Sequence, residues 1–139
     1  MKETITARLL SDLAFESEVD GHKIYMDSSP EFGGKNTGPR PKPLMMVALA
    51  GCTGMDVAAL LRKMRVELED FTVEVQGEIT EEHPKRFEGM KILYRFKGKD
   101  INRAYVEKAV HLSTTRYCGV FANYSKAFPL SHEIIIEES

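Results

Sequence analysis

The longest apolar run in the chain extends from Leu44 to Leu61 and contains a single charged residue, Asp56. Ala, Leu and Met dominate this run and favour helix, and Pro43 precedes it, where a helix start tolerates proline. In a bilayer, a charged Asp near the centre of a span would cost about 2.5–3.5 kcal/mol. The run therefore predicts a central helix over residues 42–66 that belongs to a soluble protein, with no membrane partner.

This helix needs cover, because its sides are almost all apolar. A chain of 139 residues is most simply one domain, residues 1–139, and has little other material with which to surround the helix. A second copy of the chain is a natural source of cover. The sequence therefore favours a homodimer.

Short alternating segments flank the helix on both sides and indicate strands. Residues 1–27 hold the N-terminal strands, with Asp20-Gly21 as a tight hairpin turn, and residues 28–41 form a long loop rich in turn formers. Residues 70–139 hold further strands and a second helix capped by Asn102. The predicted strands are 3–9, 14–19, 23–26, 71–79, 90–96 and 133–137, and the second helix is expected to reach Thr115. This order indicates an α+β fold.

Charge and composition exclude several classes of protein. The net charge is −2, Trp is absent, and no basic stripe interleaves with the aromatic residues, so nucleic-acid binding is not expected. Residues 1–10 contain Lys2, Glu3 and Arg8 and lack the apolar core of a signal peptide. We therefore expect a cytoplasmic protein. In that compartment thiols stay reduced and a permanent disulfide would be unusual.

Cys52 is the first candidate for chemistry, since it lies inside the apolar helix between Gly51 and Gly54. One interpretation is a small buried core residue, and the other is a reactive thiol in an apolar pocket. A reactive thiol needs a nearby cation, and Asp56, one helical turn later, opposes ionisation. The basic residues close to the helix in sequence are Lys35, Arg40 and Lys42.

Cys118 is the second candidate and follows the second helix. Together with Cys52 it allows a dithiol in which one sulfur attacks an oxidant and the other resolves the sulfenic acid. The four histidines show no metal-ligand spacing with each other or with the cysteines. We therefore expect neither a metal nor an organic cofactor.

Four segments, in this order and with both cysteines in place, resemble the OsmC/Ohr family of osmotically induced and organic-hydroperoxide-resistance proteins. They cover nearly the whole chain, and the branch with Gly-Cys-Thr-Gly-Met-Asp is the most similar. The segments are residues 38–41 (GPRP), 48–57 (ALAGCTGMDV), 81–85 (EEHPK) and 112–118 (LSTTRYC).

The resemblance implies an intertwined α+β homodimer in which β-sheets wrap around two long central helices. It implies a thiol peroxidase that reduces organic hydroperoxides, and an external dithiol reductant. By similarity, Cys52 matches the peroxidatic cysteine and Cys118 the resolving cysteine. The alternative is a non-catalytic dimer that binds a small apolar ligand or senses oxidants through the same pocket.

The family pattern often adds a Glu nine or ten residues before the first cysteine, paired with an Arg that activates the thiolate. Those positions hold Pro43 and Lys42 here, and the upstream loop has no clear match for the Arg. We expect Arg40 to supply the activating charge, with Lys42 and Lys35 as the alternatives. If none of them does so, the thiol is weakly activated and the activity is low or different.

Overall fold

The computed structural model describes residues Met1–Ser139 and contains six strands and three α-helices. The chain divides into two compact units, Met1–Met45 and Met46–Ser139. The mixed helix and strand content agrees with the α+β class predicted from the sequence.

The first unit is built on three antiparallel strands in the order β1–β2–β3, which are Ala7–Ser11, Ala14–Val19 and His22–Met26. The Asp20-Gly21 turn is confirmed: both residues have positive φ, 52° and 80°, which Gly21 adopts without strain. β1 begins at Ala7 rather than at Glu3. Apolar side chains remain uncovered on this sheet, with Leu9 54% and Ile24 39% exposed.

The loop that follows is ordered by one carboxylate. Asp27 accepts hydrogen bonds from the backbone N–H groups of Ser28, Lys35 and Thr37 and from the Thr37 hydroxyl. These bonds, the Thr37 hydroxyl first, lower the pKa of Asp27 to about 2. A single 3-10 turn at Pro30–Phe32 is the only helical element in the loop. The long loop predicted for residues 28–41 is therefore held by a local hydrogen-bond network.

The second unit begins within helix α1, Leu44–Lys63, slightly shorter than the predicted 42–66. Strands β4 (Asp70–Ile79), β5 (Phe87–Gly98) and β6 (Leu130–Glu138) form its sheet, in which β4–β5 pair antiparallel and β5–β6 parallel. β5 and β6 each start three residues earlier than predicted, because their first residues extend the two ladders.

Helix α2, Arg103–Leu112, is capped as expected, since the Asn102 side chain accepts a hydrogen bond from the Tyr105 N–H. The helix ends before Thr115, and a π-helical turn at Ser113–Tyr117 leads into α3, Gly119–Ser125. The core lies between the helices and the middle of the sheet. Its most deeply buried residues are Leu49, Val57, Ile92, Tyr94, Val106, Ala109 and Val110.

Only one stripe of α1 is covered within the chain. Its buried residues, Leu49, Thr53, Val57 and Leu61, recur every fourth position. Gly54 allows the close approach of this helix to the sheet, because a Cβ there would lie 3.3 Å from the Val73 side chain. The opposite side is apolar and open, with Val47 63% and Met55 75% exposed. By length and composition alone α1 could also cross a membrane, as the core helices of many soluble proteins could.

Candidate functional site

The structure brings the two cysteines together within the second unit. Cys52 lies in the middle of α1 and Cys118 is the N-cap residue of α3. Their Sγ atoms and a carboxylate oxygen of Asp56 all lie within 4.8 Å of one another. Both thiols are free, Cys118 being buried and Cys52 half-buried. Residues 66 positions apart in the sequence thus share one site.

The π-helical turn explains how Cys118 reaches this site. It widens the end of α2, so that the Cys118 N–H donates to the Ser113 carbonyl at 2.8 Å. The Cys118 sulfur in turn accepts a hydrogen bond from the Phe121 N–H at 3.3 Å, which caps α3. Ser113 and Cys118, the two ends of the turn, therefore both face the α1 residues of the site.

A buried chain of hydroxyl groups leads to Asp56. The Tyr94 hydroxyl lies 2.7 Å from Thr53 Oγ1, which lies 2.8 Å from Ser113 Oγ. Ser113 Oγ donates to Asp56 Oδ2 at 2.9 Å. An ionised carboxylate only accepts, and each hydroxyl has one hydrogen, so the bonds all run from Tyr94 through Thr53 and Ser113 to Asp56.

Every buried hydroxyl in this hydrogen-bonded series has a partner, and no buried side-chain polar atom of the protein lacks one. Thr53, Tyr94 and Ser113 are all fully buried. The network therefore fixes the Asp56 carboxylate from one side and joins α1 to β5 and to the π-helical turn.

We expect Thr53→Val to destabilise the second unit, because it removes two hydrogen bonds and leaves buried hydroxyls of Tyr94 and Ser113 short of partners. The loss should be about 1–3 kcal/mol in the free energy of unfolding, measured by urea denaturation. Thr72→Val is the matched control, since Thr72 is exposed on β4, and should change stability by less than about 0.5 kcal/mol. Equal effects of the two substitutions would show that the buried chain contributes nothing.

Electrostatics in the site disfavour a second thiolate. Burial, above all, and then the neighbouring Cys52 and Asp56 raise the pKa of the Cys118 thiol to about 11. Burial likewise raises the pKa of Tyr94 to about 12, so its hydroxyl stays protonated and able to donate. Asp56 forms no ion pair within the chain and has Ser113 as its hydrogen-bond donor.

The candidate cations lie in the first unit and differ in their local partners. Arg40 donates to the Gly38 carbonyl and to the Asn36 side chain, at 3.0 and 2.8 Å. Lys35 pairs with Asp12 at 3.1 Å. Lys42 is half-buried and its ammonium forms no ion pair within the chain. Of the three, Lys42 is the one that local interactions leave available.

Sequence reasoning singled out Cys52, Cys118 and Asp56 but missed Thr53, Ser113 and Tyr94. A polar residue inside an otherwise apolar helix was the available signal for Thr53, since a buried hydroxyl requires a partner. No comparable pattern marks Ser113 or Tyr94, because their roles depend on elements far apart in the sequence.

Comparison with known proteins agrees with this architecture. Residues 34–133 match the family model described as OsmC-like protein. Protein YhfA from Escherichia coli strain K12 is 34% identical over 114 residues, 82% of each chain. A crystal structure of a hypothetical protein from Aquifex aeolicus VF5 is 28% identical with a TM-score of 0.86, and covers 100% of this chain and 98% of that one.

The fold recurs in more distant structures. An organic hydroperoxide resistance protein OsmC from Legionella pneumophila superposes with a TM-score of 0.64, with 97% of each chain covered and 17% identity. The family model spans most of the chain, and the YhfA match includes most of both sequences. The chain therefore belongs to the OsmC-like protein family.

Proposed function

We propose that the protein is a thiol-dependent peroxidase that reduces organic hydroperoxides. The observation that carries this proposal is the convergence of two free cysteines, with Sγ atoms within 4.8 Å, in one partly covered site. Membership of the OsmC-like family supports it, since the Legionella pneumophila protein with this fold is named an organic hydroperoxide resistance protein.

Cys52 is the better candidate for the attacking sulfur. It is the more exposed of the two thiols, whereas the raised pKa of Cys118 keeps that group protonated near neutral pH. In the proposed cycle, the Cys52 thiolate attacks the distal peroxide oxygen, the O–O bond breaks, and the alkoxide leaves and takes up a proton. Cys52 then carries a sulfenic acid.

Cys118 resolves this intermediate. Its sulfur attacks the Cys52 sulfur, the S–S bond forms, the S–O bond breaks and water leaves. An external dithiol reduces the disulfide through a mixed disulfide and restores both thiols. No metal or organic cofactor takes part in these steps.

The test is steady-state reduction of an organic hydroperoxide with a small dithiol as reductant. We expect many turnovers per chain, faster for the organic hydroperoxide than for hydrogen peroxide because Cys52 lies in an apolar helix whose exposed residues include Val47 and Met55. The Cys52→Ser, Cys118→Ser double variant is the control for the direct reaction of the reductant. A wild-type rate equal to that of the double variant would overturn the proposal.

The rival function is a non-catalytic dimer that binds a small apolar ligand or senses oxidants. The observation that favours it is Asp56, which lies beside both sulfurs without an ion-pair partner in the chain and helps to raise the pKa of the Cys118 thiol. A sensor would be oxidised once by peroxide and would show no multiple turnover. The same steady-state assay therefore separates the two functions.

The activating charge is predicted to come from a basic residue before α1. Of the candidates, Arg40 is the one expected from the sequence, and Lys42 is the one whose charged group forms neither an ion pair nor a side-chain hydrogen bond within the chain. Removing the cation should move the pH profile of Cys52 alkylation to higher pH, because an opposite charge within about 4–6 Å favours the thiolate. Arg40→Ala and Lys42→Ala are compared with Lys35→Ala, whose side chain already pairs with Asp12. Three unchanged profiles would exclude this source of activation.

We also propose that the working form is a homodimer in a cytoplasmic protein. The uncovered apolar side of α1 supports the homodimer, as do the exposed apolar residues on the β1–β2–β3 sheet. Gly51 lies on the same open side as Val47 and Met55. No neighbouring group of the same chain lies within 4 Å of the position that a Cβ would take at Gly51. A glycine inside a helix costs about 1 kcal/mol relative to alanine, which a close approach between two helices would explain.

A further inference from the structure

The site contains three ligand groups of the kinds that thiophilic metals prefer. The Sγ atoms of Cys52 and Cys118 and a carboxylate oxygen of Asp56 lie within 4.8 Å of one another. Cys52 and Asp56 are four residues apart on one face of α1, and Cys118 approaches from the end of the π-helical turn. Spacing among cysteines and histidines pointed to no metal, because it left out the carboxylate.

We propose that Cys52, Asp56 and Cys118 bind a single thiophilic divalent cation, of which Zn²⁺ is the representative. Zn²⁺ takes thiolate, imidazole and carboxylate ligands in a tetrahedron, with Zn–S near 2.3 Å and Zn–O near 2.0–2.2 Å. Those bond lengths place neighbouring ligand atoms about 3.5–3.8 Å apart. The three groups therefore need to converge by at most about 1 Å, which side-chain rotation can provide.

The negative charge of the ligand groups favours a divalent cation in this site. Two thiolates and a carboxylate would bring three negative charges into one partly buried site, and Asp56 has no ion pair in the chain. A divalent cation would neutralise most of this charge, which the three groups could not carry together without one.

The surrounding hydrogen bonds resemble those that orient metal ligands. Ser113 Oγ donates to Asp56 Oδ2 at 2.9 Å and accepts from Thr53, which in turn accepts from Tyr94. The other carboxylate oxygen has no hydrogen-bond partner and is available to a cation. Carboxylate ligands in metal sites are commonly fixed in this way by a second group. Three protein ligands would leave one coordination position open.

This inference uses the dithiol of the proposed peroxidase but needs no peroxide chemistry. A bound cation would occupy the lone pairs with which the thiolates attack, so metal binding and peroxide reduction would exclude each other. Zinc would then inhibit the peroxidase, and a chelator would restore it. If the peroxidase proposal fails, metal binding by the reduced protein can still be measured by itself.

The experiment is a zinc titration of the reduced, chelator-treated protein without peroxide, in competition with a chromophoric chelator. We expect one Zn²⁺ per chain with a Kd below about 1 μM, and loss of this binding in Cys52→Ser and in Cys118→Ser. Cobalt in place of zinc should show the thiolate charge-transfer and tetrahedral d–d absorption bands. Wild-type binding no tighter than that of the two cysteine variants would overturn the proposal.

The carboxylate is tested separately. Asp56→Asn keeps an oxygen that can accept from Ser113, so the fold should be retained, and circular dichroism checks this. Its affinity for Zn²⁺ should fall about tenfold or more, while Asp70→Asn, at an exposed position on β4, should bind like the wild type. Equal affinities for the two asparagine variants would remove Asp56 from the site and overturn the three-ligand proposal.

Discussion

Cys52→Ser should abolish peroxide consumption even within a single turnover. A serine hydroxyl is a far poorer nucleophile than a thiol near neutral pH, and the remaining Cys118 is buried with its pKa raised to about 11. Quenched-flow measurement of residual hydroperoxide checks this directly. We expect consumption at the level of buffer alone.

Cys118→Ser is the matched variant, since it removes the other sulfur of the same pair. It should consume about one equivalent of hydroperoxide and then stop, leaving a sulfenic acid on Cys52 that is open to overoxidation. The opposite pattern, with a burst in Cys52→Ser and none in Cys118→Ser, would reverse the two roles. No burst in either variant would indicate two inert core thiols.

The second large effect is expected on the oligomeric state. The wild-type protein should sediment at low micromolar concentration with about twice the chain mass of 15.7 kDa, because the open side of α1 is apolar. Met55→Glu should shift it to the mass of one chain. Met55 is 75% exposed within the chain, so the charge costs little there, but burial in an interface would cost several kcal/mol.

The control for this substitution is Ile79→Glu, at the end of β4. Ile79 is also apolar and exposed, at 45%, but it is the last residue of β4 and does not belong to the open side of α1. We expect this variant to keep the wild-type mass. A wild-type protein that is a stable folded monomer at this concentration would contradict the proposed dimer.

Local sequence chemistry predicted the elements that depend on local interactions. The apolar run gave α1 to within two or three residues, the Asp20-Gly21 turn has the positive φ values expected, and Asn102 caps α2. Strand ends were less accurate, because a ladder extends as far as its partner strand allows. β6 begins at Leu130, opposite Met90 of β5, and its parallel pairing has no local signature.

The site was predictable in part. Two cysteines in this order, one within an apolar helix, indicated a dithiol, and the structure brings their sulfur atoms together. The π-helical turn that positions Cys118 was not predictable, because the shift from α to π hydrogen bonding depends on how Ser113 packs against α1. Ser113 contacts Thr53 and Asp56, which precede it by 60 and 57 residues, so no local pattern marks these contacts.

The role of Asp56 depends on the groups that surround it in the folded chain. The sequence shows only a negative charge one helical turn beyond Cys52, which opposes ionisation of a thiol. In the structure it accepts the last bond of a buried hydroxyl chain and lies within 4.8 Å of both sulfurs. A carboxylate held in that position is either a cost to thiolate formation or a ligand, and the zinc titration distinguishes these roles.

The central claim, that Cys52 and Cys118 form one redox pair, is tested most directly by the intact mass of the wild-type protein. The reduced protein is mixed with one equivalent of an organic hydroperoxide, free thiols are blocked with an alkylating reagent, and the mass is measured. We predict the loss of two hydrogens, no alkylation, and a peptide in which Cys52 is linked to Cys118. A protein with both thiols alkylated and no oxidised species after full exposure to peroxide would contradict the account.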